Sequence, residues 1–434
     1  MPSRRFLLVP IALLVSAGVY ALVVPSHRSA GQATVPTESA TATASLTSTT
    51  TPNATVTTTP VAPPTAIVPG LPPGLSGKLT YRTEREQVTV AFPSGAAVAH
   101  EPMTPIDASR SSADGLWSAT TDCSTLCRTT LKETDGNLRA VDDPYITALR
   151  WSPQGHQLAL AGGPSNGGYP ASDRLELIDD PASARPRILY ETRKGLAHPF
   201  EWLSSGDLLV ADNSETDSQL VRVTTSGETT TLATVPSTVW YLYASPDGRT
   251  VAFTQDSAAG WQLWTIDGAT GAVRNAGNMG SDPAGIAPPQ ENAPLQEKGP
   301  MYIAWSPDGS KVAFGGGYQP PYTMTIADIA TGAKHRTEFP DGYPGEIKWS
   351  PDGTKLAVSS YNLPRTHHES FVVDPETGVA RDILSGCVII WSPDSQFLAI
   401  HGEREPGVAI ANVVTLQHAQ LTHTPGDTPL SWKP

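Results

Sequence analysis

Trp305-Ser306-Pro307-Asp308-Gly309 lies between Met301-Tyr302-Ile303-Ala304 and Lys311-Val312-Ala313-Phe314. Two short apolar runs thus flank one five-residue turn phrase. Pro sets φ for the first central position, Asp bonds back to the main chain, and Gly accepts positive φ. Two apolar runs joined by such a turn predict a β-hairpin. The phrase recurs intact at Trp349–Gly353, nearly intact at Trp151–Gly155, Trp391–Ser395 and Ala244–Gly248, and worn at Trp202–Gly206 and Ser111–Gly115. Trp432-Lys433-Pro434 opens one more copy.

A third apolar run follows most copies, as in Tyr322–Asp328 and Ser370–Asp374, and ends in a Thr-Gly turn. A fourth, weaker run comes next. The unit is therefore four antiparallel strands in about 42 residues, the period and strand count of a propeller blade. One four-stranded sheet cannot bury both of its faces. Neighbouring sheets can do so if a large side chain fills each gap. On this reading Trp151, Trp202, Trp305, Trp349, Trp391 and Trp432 are packing residues, since their spacing follows the unit and not a ligand groove.

First strands ending near Ser111, Trp151, Trp202, Tyr243, Trp305, Trp349, Trp391 and Trp432 predict an all-β, eight-bladed propeller over residues 78–434. Seven blades is the alternative if the worn Ser111 unit has lost its own sheet. The Lys78 unit lacks a first strand and the Trp432 unit has only that strand. The two are expected to join as one blade, which leaves no free sheet edge at the joint.

The tandem W-S-P-D-G phrase resembles the TolB-type propeller family, and the resemblance covers essentially all of residues 78–434. It implies an extracytoplasmic binding platform, often one that grips another protein. TolB itself resembles a six-bladed propeller with a separate leading domain. This chain has more repeats and no such domain, so TolB's own partners do not carry over.

Residues 1–28 read as a signal or membrane anchor. Arg4 and Arg5 precede the uncharged run Phe6–Val24, long enough to span a bilayer as a helix. Val19-Tyr20-Ala21 is a passable cleavage pattern, so secretion is the alternative. Residues 29–77 are rich in Thr, Pro, Ala and Ser and predict an unfolded stalk. The expected location is the outer side of a cytoplasmic membrane.

The first 77 residues carry a net +2, so residues 78–434 hold −15 against the chain's −13. An acidic surface without a basic stripe argues against nucleic acid. Cys123 and Cys127 are candidates for a disulfide across one hairpin in an exported protein. Cys387 reads as a buried free thiol.

Loops after the first and third strands are short and repetitive, so they read as structural. Loops after the second and fourth strands vary, and variable loops on a rigid scaffold are where binding usually lives. The long ones include Gly162–Arg174, Arg274–Pro300, Gly315–Tyr322, Ser359–Glu369 and His401–Pro406. Candidate binding residues there are Tyr169, Tyr318, Tyr322, Tyr361, His367, His368, His401, Glu403 and Arg404. The rival readings are tyrosines covering blade edges and a solvated charged loop pair. The His pair facing His401 and Glu403 is the one place where metal or acid–base chemistry is conceivable. Adjacent histidines on one strand point to opposite faces, so no metal, catalytic residue or cofactor is expected. No phosphate loop or dinucleotide fingerprint occurs. The expected function is non-enzymatic recognition of a protein, peptide or envelope polymer. The alternative is a lactonase-like hydrolase or a lyase with its site at the channel mouth.

Overall fold

The structure, a computed structural model, describes residues 70–102, 110–122, 128–141, 146, 148–162, 173–192, 199–255, 257, 260–280, 303–316, 320–340, 342–361 and 367–434. The expected anchor, most of the stalk, Tyr169, Tyr318, Cys123 and Cys127 lie outside the described residues. Among the described residues no helix is long and apolar enough to cross a membrane.

The described chain is all β. The first sheet holds β1 (Lys78–Arg82), β2 (Glu86–Ala91) and β3 (Ala96–Pro102). The second holds β4 (Arg110–Ser111), β5 (Trp117–Asp122), β6 (Arg128–Glu133) and β7 (Leu138–Ala140). The third holds β8 (Ala148–Trp151), β9 (Leu158–Gly162), β10 (Arg174–Ile178) and β11 (Arg187–Glu191). The fourth holds β12 (Phe200–Trp202), β13 (Leu208–Asn213), β14 (Asp217–Val223) and β15 (Thr229–Pro236). The fifth holds β16 (Val239–Ala244), β17 (Thr250–Gln255), β18 (Trp261–Asp267) and β19 (Val273–Gly280). The sixth holds β20 (Ile303–Trp305), β21 (Lys311–Gly315), β22 (Tyr322–Asp328) and β23 (Lys334–Phe339). The seventh sheet runs from β24 (Tyr343–Trp349) through β25 (Leu356–Tyr361), β26 (His368–Val373), β27 (Ala380–Trp391), β28 (Phe397–Gly402) and β29 (Gly407–Asn412) to β30 (His418–Gln420). The last strand, β31 (Thr428–Lys433), returns to pair with β1 and makes the first sheet four-stranded.

The expectation of eight separate four-stranded blades is therefore corrected. Six sheets are four-stranded blades, and the seventh sheet has seven strands. The alternative count rested on losing the Ser111 blade, yet β4 to β7 keep that sheet. The change comes instead from the Trp349 and Trp391 units, which share the twelve-residue strand β27. Ser385-Gly386-Cys387 offers no Pro or Asp to break it. Ser385 still pairs with Glu369 on one side, while Gly386 already pairs with Gly402 on the other. A Cβ on Gly386 would stand 2.3 Å from the His401 carbonyl oxygen, so the switch between ladders needs glycine there.

The turn phrase has a fixed hydrogen-bond set. At Trp305 the Ser306 hydroxyl donates to Asp308 (2.6 Å), the Lys311 N–H donates to Ser306 Oγ (2.9 Å), and the Ser310 N–H donates to Asp308 (3.0 Å). Ser350 and Asp352 repeat it at 2.6 Å, and so do Ser392 with Asp394 and Ser245 with Asp247. Even the worn Ser112–Asp114 copy keeps it. Gly309 and Gly353 take φ of 71° and 70°, the left-handed region that closes the turn.

The tryptophans pack between sheets and also donate. The indole N–H of Trp202, Trp305, Trp349 and Trp391 reaches the carbonyls of Arg150, Tyr243, Ala304 and Lys348 at 3.0–3.1 Å. Each acceptor lies on the first strand of the preceding unit, so one side chain fills the gap and satisfies a polar pair. Trp432 instead donates to Ser76 (2.9 Å), and Leu79 lies opposite it in the β1–β31 ladder. Leu75, ahead of the expected propeller start at residue 78, is buried in the same cluster as Trp432, Phe92 and Phe397. The core is thus divided into apolar layers between neighbouring sheets.

Candidate functional site

β25 runs away from the Ser350–Gly353 turn and ends at Tyr361, whose cross-strand partner is His368 at the start of β26. The two rings meet edge to face with centroids 4.3 Å apart. Tyr361 stacks on Tyr343 at 5.6 Å, and Tyr343 meets Tyr322 of the neighbouring sheet at 6.5 Å. Four aromatic rings thus run in one row across two sheets, at the end opposite the repeated turns. Tyr343 is buried, while Tyr322, Tyr361 and His368 are half-buried.

The hairpin between β28 and β29 brings Glu403 to this row. Its Oε2 accepts the His368 main-chain N–H (2.7 Å), and its Oε1 pairs with His368 Nδ1. Ser385 of β27 donates its hydroxyl to the His368 carbonyl (3.0 Å). Cys387, two residues further along β27, offers its sulfur to the same place. Ligand atoms of His368, Cys387 and Glu403 all lie within 4.8 Å of one another. Side-chain exposures of 19% for His368 and 25% for Glu403 leave the group sheltered but reachable.

Burial, with the nearby Glu346 carboxylate, pushes the Cys387 thiol up to about 11. Burial, with Cys387 and Glu346 close by, pushes the Tyr361 phenol up to about 12. Glu346 itself is held by Lys348 (2.6 Å) and by the Ile389 N–H (3.1 Å).

The structure brings some of the sequence-derived residues together and separates others. His368 meets Glu403 and Tyr361. Arg404 donates to Glu369 (2.9 Å). His401 turns to the Asp427 carbonyl oxygen (2.7 Å), a different contact from the His367/His401 convergence considered from sequence. Cys387 was not among the candidates; it is a free thiol, half-buried and not fully buried. Its only sequence signal was polarity in an otherwise apolar strand.

Sequence reasoning also passed over the turn end. A cavity of about 510 Å³ lies there, lined by Ser111, Arg150, Glu201, Trp202, Ser245 and Asp247 among others. Arg150 Nε donates to Glu201 (3.0 Å) within it.

No protein-family model matches the sequence, and no curated protein matches it. Solved structures do. The dihydro-heme d1 dehydrogenase NirN, in complex with DHE, is 12% identical with a TM-score of 0.50, covering 86% of this chain and 79% of that one. An oligogalacturonate lyase from Vibrio parahaemolyticus is 14% identical with a TM-score of 0.45, covering 79% and 100%. TolB from Acinetobacter baumannii is 13% identical with a TM-score of 0.31, covering 73% and 82%. NirN's likeness speaks for the fold alone, and the other two scores carry no argument about activity.

Proposed function

We propose that this chain is a TolB-type binding propeller, held on the outer side of a cytoplasmic membrane, whose loop end grips a protein, peptide or envelope polymer. The aromatic row Tyr322–Tyr343–Tyr361–His368 carries this reading. Tyrosine offers contact area with a polar tip at low entropic cost, and the row sits where the loops vary. The tandem Trp-Ser-Pro-Asp-Gly phrase supports the family assignment. Mutual engagement of the polar groups favours recognition over acid–base work: Glu403 holds His368, Arg404 holds Glu369, and His401 holds a main-chain carbonyl. Such loops form a stiff platform.

A photo-crosslinking residue at exposed Glu405, on the loop end, tests this against one at exposed Thr354 on the turn end. A specific adduct with an envelope protein or polymer is expected from position 405 only. Adducts from 354 alone, or from neither position, would sink the reading. A propeller hydrolase or lyase is the second reading, and the Arg150–Glu201 pair in the 510 Å³ cavity favours it. It expects adducts at position 354.

A further inference from the structure

We infer that His368, Cys387 and Glu403 form a binding site for one transition-metal dication of the zinc class. This goes beyond the binding role proposed above and does not depend on it. Three donor types converge: an imidazole nitrogen, a thiol sulfur and a carboxylate oxygen, all within 4.8 Å of one another. Zinc–sulfur bonds of about 2.3 Å and zinc–nitrogen or –oxygen bonds of about 2.0–2.2 Å place tetrahedral ligand pairs roughly 3.3–3.7 Å apart. No pair therefore has to close by more than about an ångström, and His368 and Glu403, now in direct contact, would part to admit an ion. Imidazole with thiolate selects zinc-like ions over magnesium or calcium, which want oxygen donors.

The arrangement also discriminates against the main rival, a thiol nucleophile activated by an imidazole that a carboxylate orients. In such a relay the imidazole ring separates carboxylate from sulfur. Here the Glu403 oxygen and the Cys387 sulfur lie within the same 4.8 Å of each other as of the histidine. Carboxylate and sulfur are thus not held apart by the full width of an imidazole ring and its two hydrogen bonds.

The scaffold suits a metal. Each donor comes from a different part of the seventh sheet: His368 from the start of β26, Cys387 from the middle of β27, Glu403 from the hairpin after β28. The Glu403 N–H approaches the Ser385 carbonyl (3.4 Å), and Ser385 holds the His368 carbonyl, so main-chain contacts link the three segments. The thiol proton of Cys387 would leave to solvent as the cation enters, and a neutral His368 would keep its proton on the ring nitrogen that does not face the ion. Three protein donors leave a fourth position for water or a ligand atom.

The test uses the full chain with Cys123→Ser and Cys127→Ser, so that Cys387 is the sole thiol. After chelator treatment, equilibrium dialysis against Zn²⁺ is expected to return one equivalent of metal. Co²⁺ is expected to give the near-ultraviolet thiolate-to-cobalt band. Cys387→Ser should abolish that band, and His368→Asn or Glu403→Gln should weaken Zn²⁺ binding by about 100-fold or more. His418→Asn, at the exposed start of β30, should leave both readouts unchanged. Should a variant fail to fold by near-ultraviolet circular dichroism, metal protection of the Cys387 thiol in the unsubstituted site decides. Alkylation, read by peptide mass, must slow when Zn²⁺ is present. Unchanged alkylation, a cobalt spectrum without the thiolate band, or substoichiometric zinc would overturn the proposal. Fast, Glu403-dependent alkylation without metal uptake would overturn it in favour of the nucleophilic thiol.

Discussion

The two ends of this propeller are built by opposite rules. At the turn end one hydrogen-bond set, Ser hydroxyl to Asp carboxylate to main chain, is copied from unit to unit with distances that hardly change. At the other end the contact of His368 with Glu403 has no counterpart in the other described units. Repetition marks what every unit needs in order to fold. Singularity marks what one place in the molecule does. The cavity beside Arg150 shows that the repeated end can also enclose space, with walls that mix turn residues and strand residues such as Arg150 and Glu201.

The largest expected effect tests whether the wedges, and not the turns, carry the fold. Trp349→Ala removes a buried indole and its bond to Ala304, and should cost about 3–5 kcal/mol in denaturant unfolding. A loss near zero would mean that the sheets hold together without their wedges. Next comes Gly345→Ala at the loop end, where a Cβ would stand 1.7 Å from the Tyr361 ring. About 1–3 kcal/mol of destabilisation and a disturbed near-ultraviolet tyrosine signal are expected. An unperturbed signal would show the aromatic row to be loose.

At the turn end, Ser306→Ala and Ser350→Ala should cost about 1–3 kcal/mol each, and nearly the same amount, because each buried hydroxyl serves the same partners. Ser152→Ala should cost less, since Gln154 offers no side-chain carboxylate and the hydroxyl bonds a carbonyl instead. Equal losses at all three would erase the distinction between intact and worn copies.

The turns also set an acid limit. The Ser306 hydroxyl, then the Ser310 N–H, hold the Asp308 carboxyl below its usual range. The Ser112 hydroxyl and then His156 bring Asp114 down to about 2. For Asp352, burial acts upward, yet Ser350 and Thr354 outweigh it and the carboxyl is lowered. A depressed folded-state value means stability that is present above about pH 4 and is lost as pH falls towards about 2. The melting temperature should therefore drop over that window, and a combined Asp308→Asn, Asp352→Asn variant should flatten the slope. Smallest of all, Glu403→Gln should change metal-free stability by less than about 1 kcal/mol, since the amide keeps an acceptor for the His368 N–H. A larger loss would make the cluster a folding element of the same kind as the turns.

Much of this was legible in the chain because turn chemistry is local. Ser306, Asp308 and Lys311 lie within six residues, so their phrase announces the hairpin wherever it stands. Pairing of β31 with β1 could be read from one unit lacking a first strand and another having nothing else. The fusion through β27 could not. It depends on a main chain that leaves one ladder at Ser385 and enters the next at Gly386, and the ladder each residue joins is set only once the neighbouring strands are placed. Cys387 was equally silent, since a lone thiol in an apolar run looks the same whether it faces a core or an imidazole.

By itself, then, the sequence determined the unit: its length, its turn, its strand alternation and the indole that fills each gap, all set by interactions within a few residues or by side-chain size. Tertiary structure alone decided how many separate sheets result and which polar groups meet. His368 and Glu403 are thirty-five residues apart along the chain and are neighbours only because two units share one strand. Burial and charge at that meeting point are properties of the packed sheets, and no stretch of either segment carries them.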